Sequence, residues 1–297
     1  MARALVLALR PKQWTKNLLV FFALFFTVGE DWKLGDLDAV VTQVSKSATA
    51  FVLFCAITGA VYLVNDLLDV ERDRAHPTKR GRPIASGALP VTVAWIAAAL
   101  LAAPALALSF LFEPLFGGVI LGYLALMLAY SYALKNMVLL DVFSISAGFI
   151  LRAVAGAAAL HVPISPWLYT CTGLGALLIA LGKRRSELAQ AGDGAGGQRD
   201  ILERYTVSLL DQLIAVVAPS TLLAYTLYTF TAPNVPEDHT MMLTIPFVVY
   251  GLFRYMYLVH NTDMGERPEE ILITDVPLMV SILLWLASAA TVLVVFR

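Results

Sequence analysis

At 297 residues, 59% of them hydrophobic and 14% charged, with a mean hydropathy of +0.75, the chain is too apolar to be a water-soluble globular domain. The formal net charge of −1 carries little information, because the charges are segregated along the chain. Cys55 and Cys171 lie far apart inside apolar runs, which excludes a disulfide framework and gives no metal spacing.

The chain opens on a basic, apolar stretch, "ARALVLALRPKQW", and residues 1–16 are expected to lie along a membrane interface, with Pro11 and Trp14 at the bend into the bilayer. No small-residue cleavage site follows, so no signal peptide is expected. Nine apolar runs come next, at about 17–29, 47–64, 91–112, 115–133, 138–160, 166–183, 209–230, 240–259 and 276–296. Most approach the ~20 residues that a helix needs to cross a bilayer. Backbone groups in lipid must be satisfied within their own segment, so these runs read as helices. The expected fold is all-α, a polytopic bundle of about nine transmembrane helices forming a single domain over 1–297. Its long polar loops are 65–90 and 183–208. With a cytoplasmic N-terminus, 16 of the 21 lysines and arginines fall in inner segments, as the positive-inside rule requires.

The loop after the second run begins "NDLLDVERDRAHPTKRGRP", residues 65–83. Asn65, Asp66, Asp69 and Asp73 recur at spacings that put them on one helical face over two turns. Carboxylates so placed repel one another unless a cation sits among them, and oxygen-only donors suit Mg²⁺. Mg²⁺ is completed by substrate phosphates as a rule, so a phosphorylated ligand is implied. A solvated acidic helix end is the plain alternative, but ionisable groups at membrane depth point to function. Arg72, Arg74, Lys79, Arg80 and Arg82 follow at once, able to clamp anionic oxygens. Positive-inside anchoring accounts for some of them equally well.

A second charged cluster closes the sixth run: Lys183, Arg184, Arg185 and Glu187, then a Gly-rich stretch at 192–197, then Arg199, Asp200, Glu203, Arg204 and Tyr205. Its position parallels the first motif, which hints at internal duplication, but bases lead where acids led before. "YSYALKNMVLLD" closes the fourth run with Tyr130, Tyr132, Lys135, Asn136 and Asp141. Arg152 lies within the fifth run, where a charge needs a carboxylate or a substrate phosphate beside it, or a structural ion pair. In the last polar loop, Asp263, Glu269, Glu270 and Asp275 are candidates, and Asp275 is read as a site residue or a helix cap. His76, His161, His239 and His260 are scattered and read as incidental.

"NDLLDVERDRAHPTKRGRP", "YSYALK" and "LLDVFSISAGFILRAVAGA" together resemble the UbiA superfamily of intramembrane prenyltransferases over almost the whole chain. That resemblance implies a nine-helix protein that binds Mg²⁺-diphosphate. Aromatic prenyltransferases of the superfamily carry a second aspartate-rich motif after the sixth helix, where this chain has "GKRRSEL". With the opening "LRPKQWTKNLLVF", the pattern is similar to the branch that transfers phosphoribosyl groups to polyprenyl phosphates. The implied donor is phosphoribosyl diphosphate (PRPP), and the implied acceptor is a polyprenyl (decaprenyl) phosphate. The products are polyprenyl-phosphoribose, which feeds cell-wall arabinan, and diphosphate. Asp66, Asp69 and Asp73, with Asn65, would hold Mg²⁺ against the donor. Lys183, Arg184 and Arg185 would bind the acceptor phosphate or the ribose 5-phosphate, with Lys16, Lys79, Arg82 and Lys135 as secondary candidates. Arg72, Tyr130, Arg152 and Asp275 complete the expected substrate-binding set. The implied setting is a bacterial inner membrane with the site facing the cytoplasm, among membrane lipids and without nucleic acid. A homo-oligomer is compatible with it. The rival enzyme reading moves a prenyl chain from its diphosphate to an aromatic acceptor. A transporter would instead carry charges near the bilayer midplane.

Overall fold

The computed structural model describes every residue except 30–31, 78, 164, 192–200, 263–270, 272–273 and 297, and for residue 191 only the backbone. Its helices are α1 (Ala2–Ala8), α2 (Phe22–Phe26), α3 (Leu37–Leu68), α4 (Val70–Ala75), α5 (Val91–Phe112) and α6 (Pro114–Tyr132). They continue with α7 (Leu140–Leu160), α8 (Pro166–Ala191), α9 (Val207–Thr231), α10 (Ile245–Asn261) and α11 (Val276–Val295). A 3₁₀ segment, Pro11–Phe21, joins α1 to α2.

Among the described residues, 7 helical stretches are long and apolar enough to cross a membrane: α3, α5, α6, α7, α9, Thr240–Asn261 and α11. The protein is thus a multi-pass, helical membrane protein, and the expected count of nine is reached only by adding two weaker segments. The first of these, 17–29, is the end of the 3₁₀ segment plus the 5-residue α2. It is fixed by contacts, since the Asn17 amide donates to Thr58 Oγ1 at 3.1 Å and to Cys55 Sγ at 3.2 Å. The second is α8, whose last part holds Lys183, Arg184, Arg185 and Glu187 inside the helix, which shortens its apolar length.

The chain divides into two compact units. The first comprises Met1–Leu24, Val41–Ser144 and Leu151–His161. Its core gathers Phe54, Ile57, Phe116, Ile120, Tyr123 and Ala155. A second cluster of Ala8, Leu63, Leu67, Ile84, Leu89 and Ala98 binds α1 and the 84–89 turn to α3 and α5. Val6 and Leu7 of α1 stay exposed. In lipid, close approach and contact hold helices together more than hydrophobic burial does. α7 answers that need with buried Ala153, Ala155, Ala157, Ala158 and Ala159. At Gly156 a Cβ would collide with the Val20 carbonyl oxygen, so only glycine lets the 3₁₀ segment lie against α7.

The second unit comprises Phe25–Val40, Ile145–Ile150 and Val162–Arg297. α8 packs along α9, and α10 along α11. Trp285 Nε1 donates to Tyr225 Oη at 2.6 Å, and Tyr225 Oη lies 2.6 Å from Thr244 Oγ1, which satisfies polar atoms that lipid would leave unpaired.

Candidate active site

α3 ends at Leu68 with Asp66 in its last turn, no base in that turn, and Asp69 just beyond. Carboxylates there face the negative end of the helix dipole, an unfavourable placement that a helix built for stability avoids. The compensation comes from other segments of the same unit. Arg10 forms an ion pair with Asp66 Oδ1, and Arg82 reaches that same oxygen at 3.1 Å and Asp73 Oδ2 at 2.6 Å. Lys135 Nζ meets Asp69 Oδ1 at 2.6 Å. Asp66 and Asp73 are 2% and 3% exposed, so little water shares the task of neutralising them. Three carboxylates and three bases balance.

Asp69 occupies the N-cap position of α4 yet makes no capping hydrogen bond. An aspartate there normally accepts from the first turn, and this one is turned to Lys135 instead. In each pair the aspartate uses one oxygen, and the second makes no hydrogen bond to a described residue. Those oxygens fit a hard divalent cation. Among the described residues, however, no three Asp, Glu, His or Cys side chains come together as a cage. The expected set of Asn65, Asp66, Asp69 and Asp73 is therefore not gathered around one point by the protein alone, because bases stand between its members. Asn65 is half-buried and accepts the Asp69 N–H at its backbone carbonyl, 3.1 Å away. That suits Mg²⁺, which takes one or two carboxylates and completes its shell with waters and substrate phosphates.

A pocket of about 380 Å³ opens beside this cluster, lined by Asp69, Glu71, Arg72, Ser131, Tyr132, Lys135 and Asn136 among others. A lining that mixes carboxylates (Asp69, Glu71) with bases (Arg72, Lys135) suits a metal-bound phosphate group. Tyr132, not Tyr130, lines it; Tyr130 is half-buried nearby in sequence. Lys79 opens a short 3₁₀ turn, Lys79–Gly81, and its N–H reaches His76 Nδ1 at 3.4 Å. Burial first, then the Lys79 and Arg82 charges, hold the His76 imidazole below its usual range against the pull of Asp73, so it stays neutral at pH 7. Lys16 sits half-buried on the 3₁₀ segment. A larger pocket, about 510 Å³, lies in the second unit around Pro233, Pro236, Glu237, Asp238 and Phe296, and its described lining residues include no base.

Arg152 is 5% exposed on α7. Its Nε donates to Asn17 Oδ1 at 2.9 Å and its NH2 to Tyr123 Oη at 2.8 Å, while the guanidinium lies over the Tyr123 and Phe54 rings at 5.0 and 5.7 Å. These contacts tie the 3₁₀ segment to α6 and α7. Arg10, the base that meets Asp66, carries little site signal in the sequence, which presents it only as one positive charge before a membrane. Its one local signal is the proline that follows, which marks a turn.

In the second unit the three bases of α8 separate. Arg184 is 2% exposed and paired with Glu187. Arg185 Nε meets Asp211 Oδ1 at 2.6 Å, and its NH1 donates to the Val259 carbonyl at 3.3 Å. Lys183 is half-buried and forms no ion pair with a described residue. Asp275 accepts from Arg254 Nε and NH2 at 3.1 and 2.8 Å and caps α11 by accepting Leu278 N–H at 2.9 Å. The hydrogen bonds from Arg254, with its charge and the capping N–H, hold the Asp275 carboxyl below its usual range. Asp263, Glu269, Glu270, Arg199 and Asp200 lie outside the described residues.

A polytopic helical protein with a carboxylate cluster at one helix end and base-lined phosphate-sized space beside it has the features of an intramembrane transferase acting on phosphorylated substrates. The chain belongs to the UbiA prenyltransferase family, which matches residues 37–274. It is 36% identical over 293 residues to the decaprenyl-phosphate phosphoribosyltransferase of Mycolicibacterium smegmatis, covering 96% of this chain and 90% of the relative. It is 37% identical over 295 residues to that of Corynebacterium glutamicum, covering 96% and 85%. The fold matches a UbiA homolog from Archaeoglobus fulgidus solved with GPP and Mg²⁺, with a TM-score of 0.72 at 17% identity over 98% of this chain and 100% of that one.

Proposed function

We propose that the protein transfers the 5-phosphoribosyl group of PRPP to a polyprenyl phosphate, decaprenyl phosphate in the first instance, and releases diphosphate. The observation that carries this reading is the contrast between the two charged helix ends. Acids paired to exchangeable bases suit a metal-diphosphate, whereas the base-led end of α8, with Lys183 free of a described counter-ion, suits a bare phosphate. The named activity of the full-length relatives agrees with it. An aromatic prenyltransferase would call for acids at the α8 end.

Asp66, Asp69 and Asp73 would hold Mg²⁺, with Asn65 beside them, and the bound ion would offset charge on the departing diphosphate as a Lewis acid. Arg82 and Lys135 bind diphosphate oxygens once their carboxylates are engaged elsewhere, and Arg72, on the wall of the pocket that Lys135 lines, joins them. Lys183 binds the acceptor phosphate; Lys16 and Lys79 lie on segments able to reach the donor's 5-phosphate. A phosphate oxygen of the acceptor forms the new bond to ribose C1 as the C1–oxygen bond to diphosphate breaks, and diphosphate leaves with the electron pair. Both partners are already anions, so no general base is needed, which fits a neutral His76 with no catalytic role. The chemistry rests on positioning and electrostatics. The site faces the cytoplasm of a bacterial plasma membrane, where PRPP is soluble, and the product serves arabinan synthesis in the cell wall.

Purified protein given labelled PRPP and decaprenyl phosphate with Mg²⁺ should form lipid-linked phosphoribose. Chelation by EDTA should stop the reaction, and Mg²⁺ should restore it. Transfer of a prenyl chain to an aromatic acid under the same conditions, without phosphoribosyl product, would replace this reading by its rival.

A further inference from the structure

Arg10 is held in a conformation that it does not favour. Its φ of 52° places it in the left-handed region, which a non-glycine side chain enters at a steric cost. Such outliers persist only where their surroundings hold them, and they gather at functional sites. Here both flanks are anchored: Ala8 is buried in the cluster with Leu63 and Leu67, and Asn17 is held by Arg152 and Thr58. The result is a guanidinium set on Asp66 Oδ1 and over the Tyr62 ring at 5.1 Å. Arg82 already reaches that oxygen at 3.1 Å. Arg82 is shared with Asp73, which it meets more closely at 2.6 Å, so the neutralisation of Asp66 falls mainly to Arg10.

We propose that Arg10 stands in for the divalent cation. Before substrate arrives it neutralises Asp66. It gives up that carboxylate when the metal-bound donor enters, and its planar fork then closes on the diphosphate. This inference rests on the donor reading above. Its consequence is an internal competition: free metal must displace Arg10 from Asp66, whereas metal arriving with a diphosphate gives Arg10 a new anionic partner. Metal and donor therefore load together, and metal alone binds poorly.

The test uses the full chain in lipid nanodiscs, with Mn²⁺ as the probe and its free signal read by electron paramagnetic resonance. Arg10→Gln should bind Mn²⁺ without donor about tenfold more tightly than the wild type, the change that ~1.4 kcal/mol makes. The same variant at saturating metal should show a KM for PRPP raised about tenfold. A merely structural Arg10 would weaken both, so unchanged or weaker Mn²⁺ binding in Arg10→Gln overturns the proposal. If that variant does not fold, hydrogen exchange of the wild type decides. At Mn²⁺ concentrations high enough to bind without donor, residues 9–14 should lose protection as Arg10 is displaced, and unaltered protection in the metal-bound protein overturns the proposal. A wild type that behaves this way with Mn²⁺ but forms no phosphoribosyl product would sink the donor reading and leave the role of Arg10 standing.

Discussion

The charged end of α3 and the charged end of α8 look alike in a list of residues and differ in how their charges are answered. At α3, two of the three aspartates are met by bases remote in sequence, Arg10 lying 56 positions from Asp66 and Lys135 66 from Asp69, while Asp73 is met by Arg82 9 positions on. At α8, Arg184 is answered one turn away by Glu187, and Arg185 is built into α9 and α10 through Asp211 and the Val259 carbonyl. Distant pairs that neutralise buried acids at the wrong end of a helix dipole spend stability on a site. Local and interhelical pairs mostly hold the helices. Charge density alone thus does not separate the two ends; how each charge is answered does.

The sharpest way to break this contrast is to remove one acid of the α3 end. Asp66→Asn keeps the shape and loses the charge, and turnover should fall by about 10³-fold, the scale of losing a main electrostatic contact. The variant should keep its elution profile in detergent, because Arg10 and Arg82 can still donate to the amide oxygen. Near-normal turnover would make the α3 cluster a structural ion-pair network.

Arg152 tests the contrast from the other side, as a buried cation assigned here to architecture. Arg152→Met should lower unfolding stability in detergent by about 2–3 kcal/mol, since Asn17 and Tyr123 are left with unmet polar atoms. The KM for PRPP in the surviving protein should stay near the wild-type value. A raised KM with unchanged stability would return Arg152 to the substrate-binding set in which the sequence places it.

Lys183 and Arg185 sharpen the comparison within α8. Lys183→Gln should raise the KM for polyprenyl phosphate roughly tenfold, as expected for one charge-assisted hydrogen bond, with little loss of stability. Arg185→Gln should do the reverse, because it releases Asp211 from its partner. If both variants alter only stability, the acceptor phosphate is held elsewhere.

Much of this was legible in the sequence, for a physical reason. Spans, charge sidedness and the N-D-x-x-D-x-x-x-D spacing are local patterns, and local patterns survive the loss of three-dimensional information. What stayed hidden were partners that only folding brings together. Nothing near Asp66 in sequence points to Arg10, and nothing near Arg152 points to Asn17. Tyr130 and Tyr132 differ similarly, since two steps along a helix turn a side chain by about 200°, and Tyr132 is the one that lines the pocket. The first span is less regular than its apolar composition suggests, because its opening part is 3₁₀, packed through Asn17 and against the bare face of Gly156, before the short α2.

Asp275 gives the smallest effect and separates two roles that one residue combines. It caps α11 and pairs with Arg254, and a carboxylate held below its ordinary value of 3.8 stabilises the fold above that pH. The sign follows from proton counting. As pH falls through 3.8 the unfolded chain binds the proton first, so stability falls progressively until the folded carboxyl is protonated as well. Asp275→Ala should cost about 1 kcal/mol at neutral pH, through loss of the cap. Asp275→Asn keeps an acceptor for Leu278 N–H and should cost less, while removing this residue's share of the acid sensitivity. Thermal unfolding in detergent from pH 3 to 6 reads both. If Asp275→Asn instead retains full stability and loses transferase activity, Asp275 belongs to the site, and the contrast between answered and available charges must be redrawn to include it.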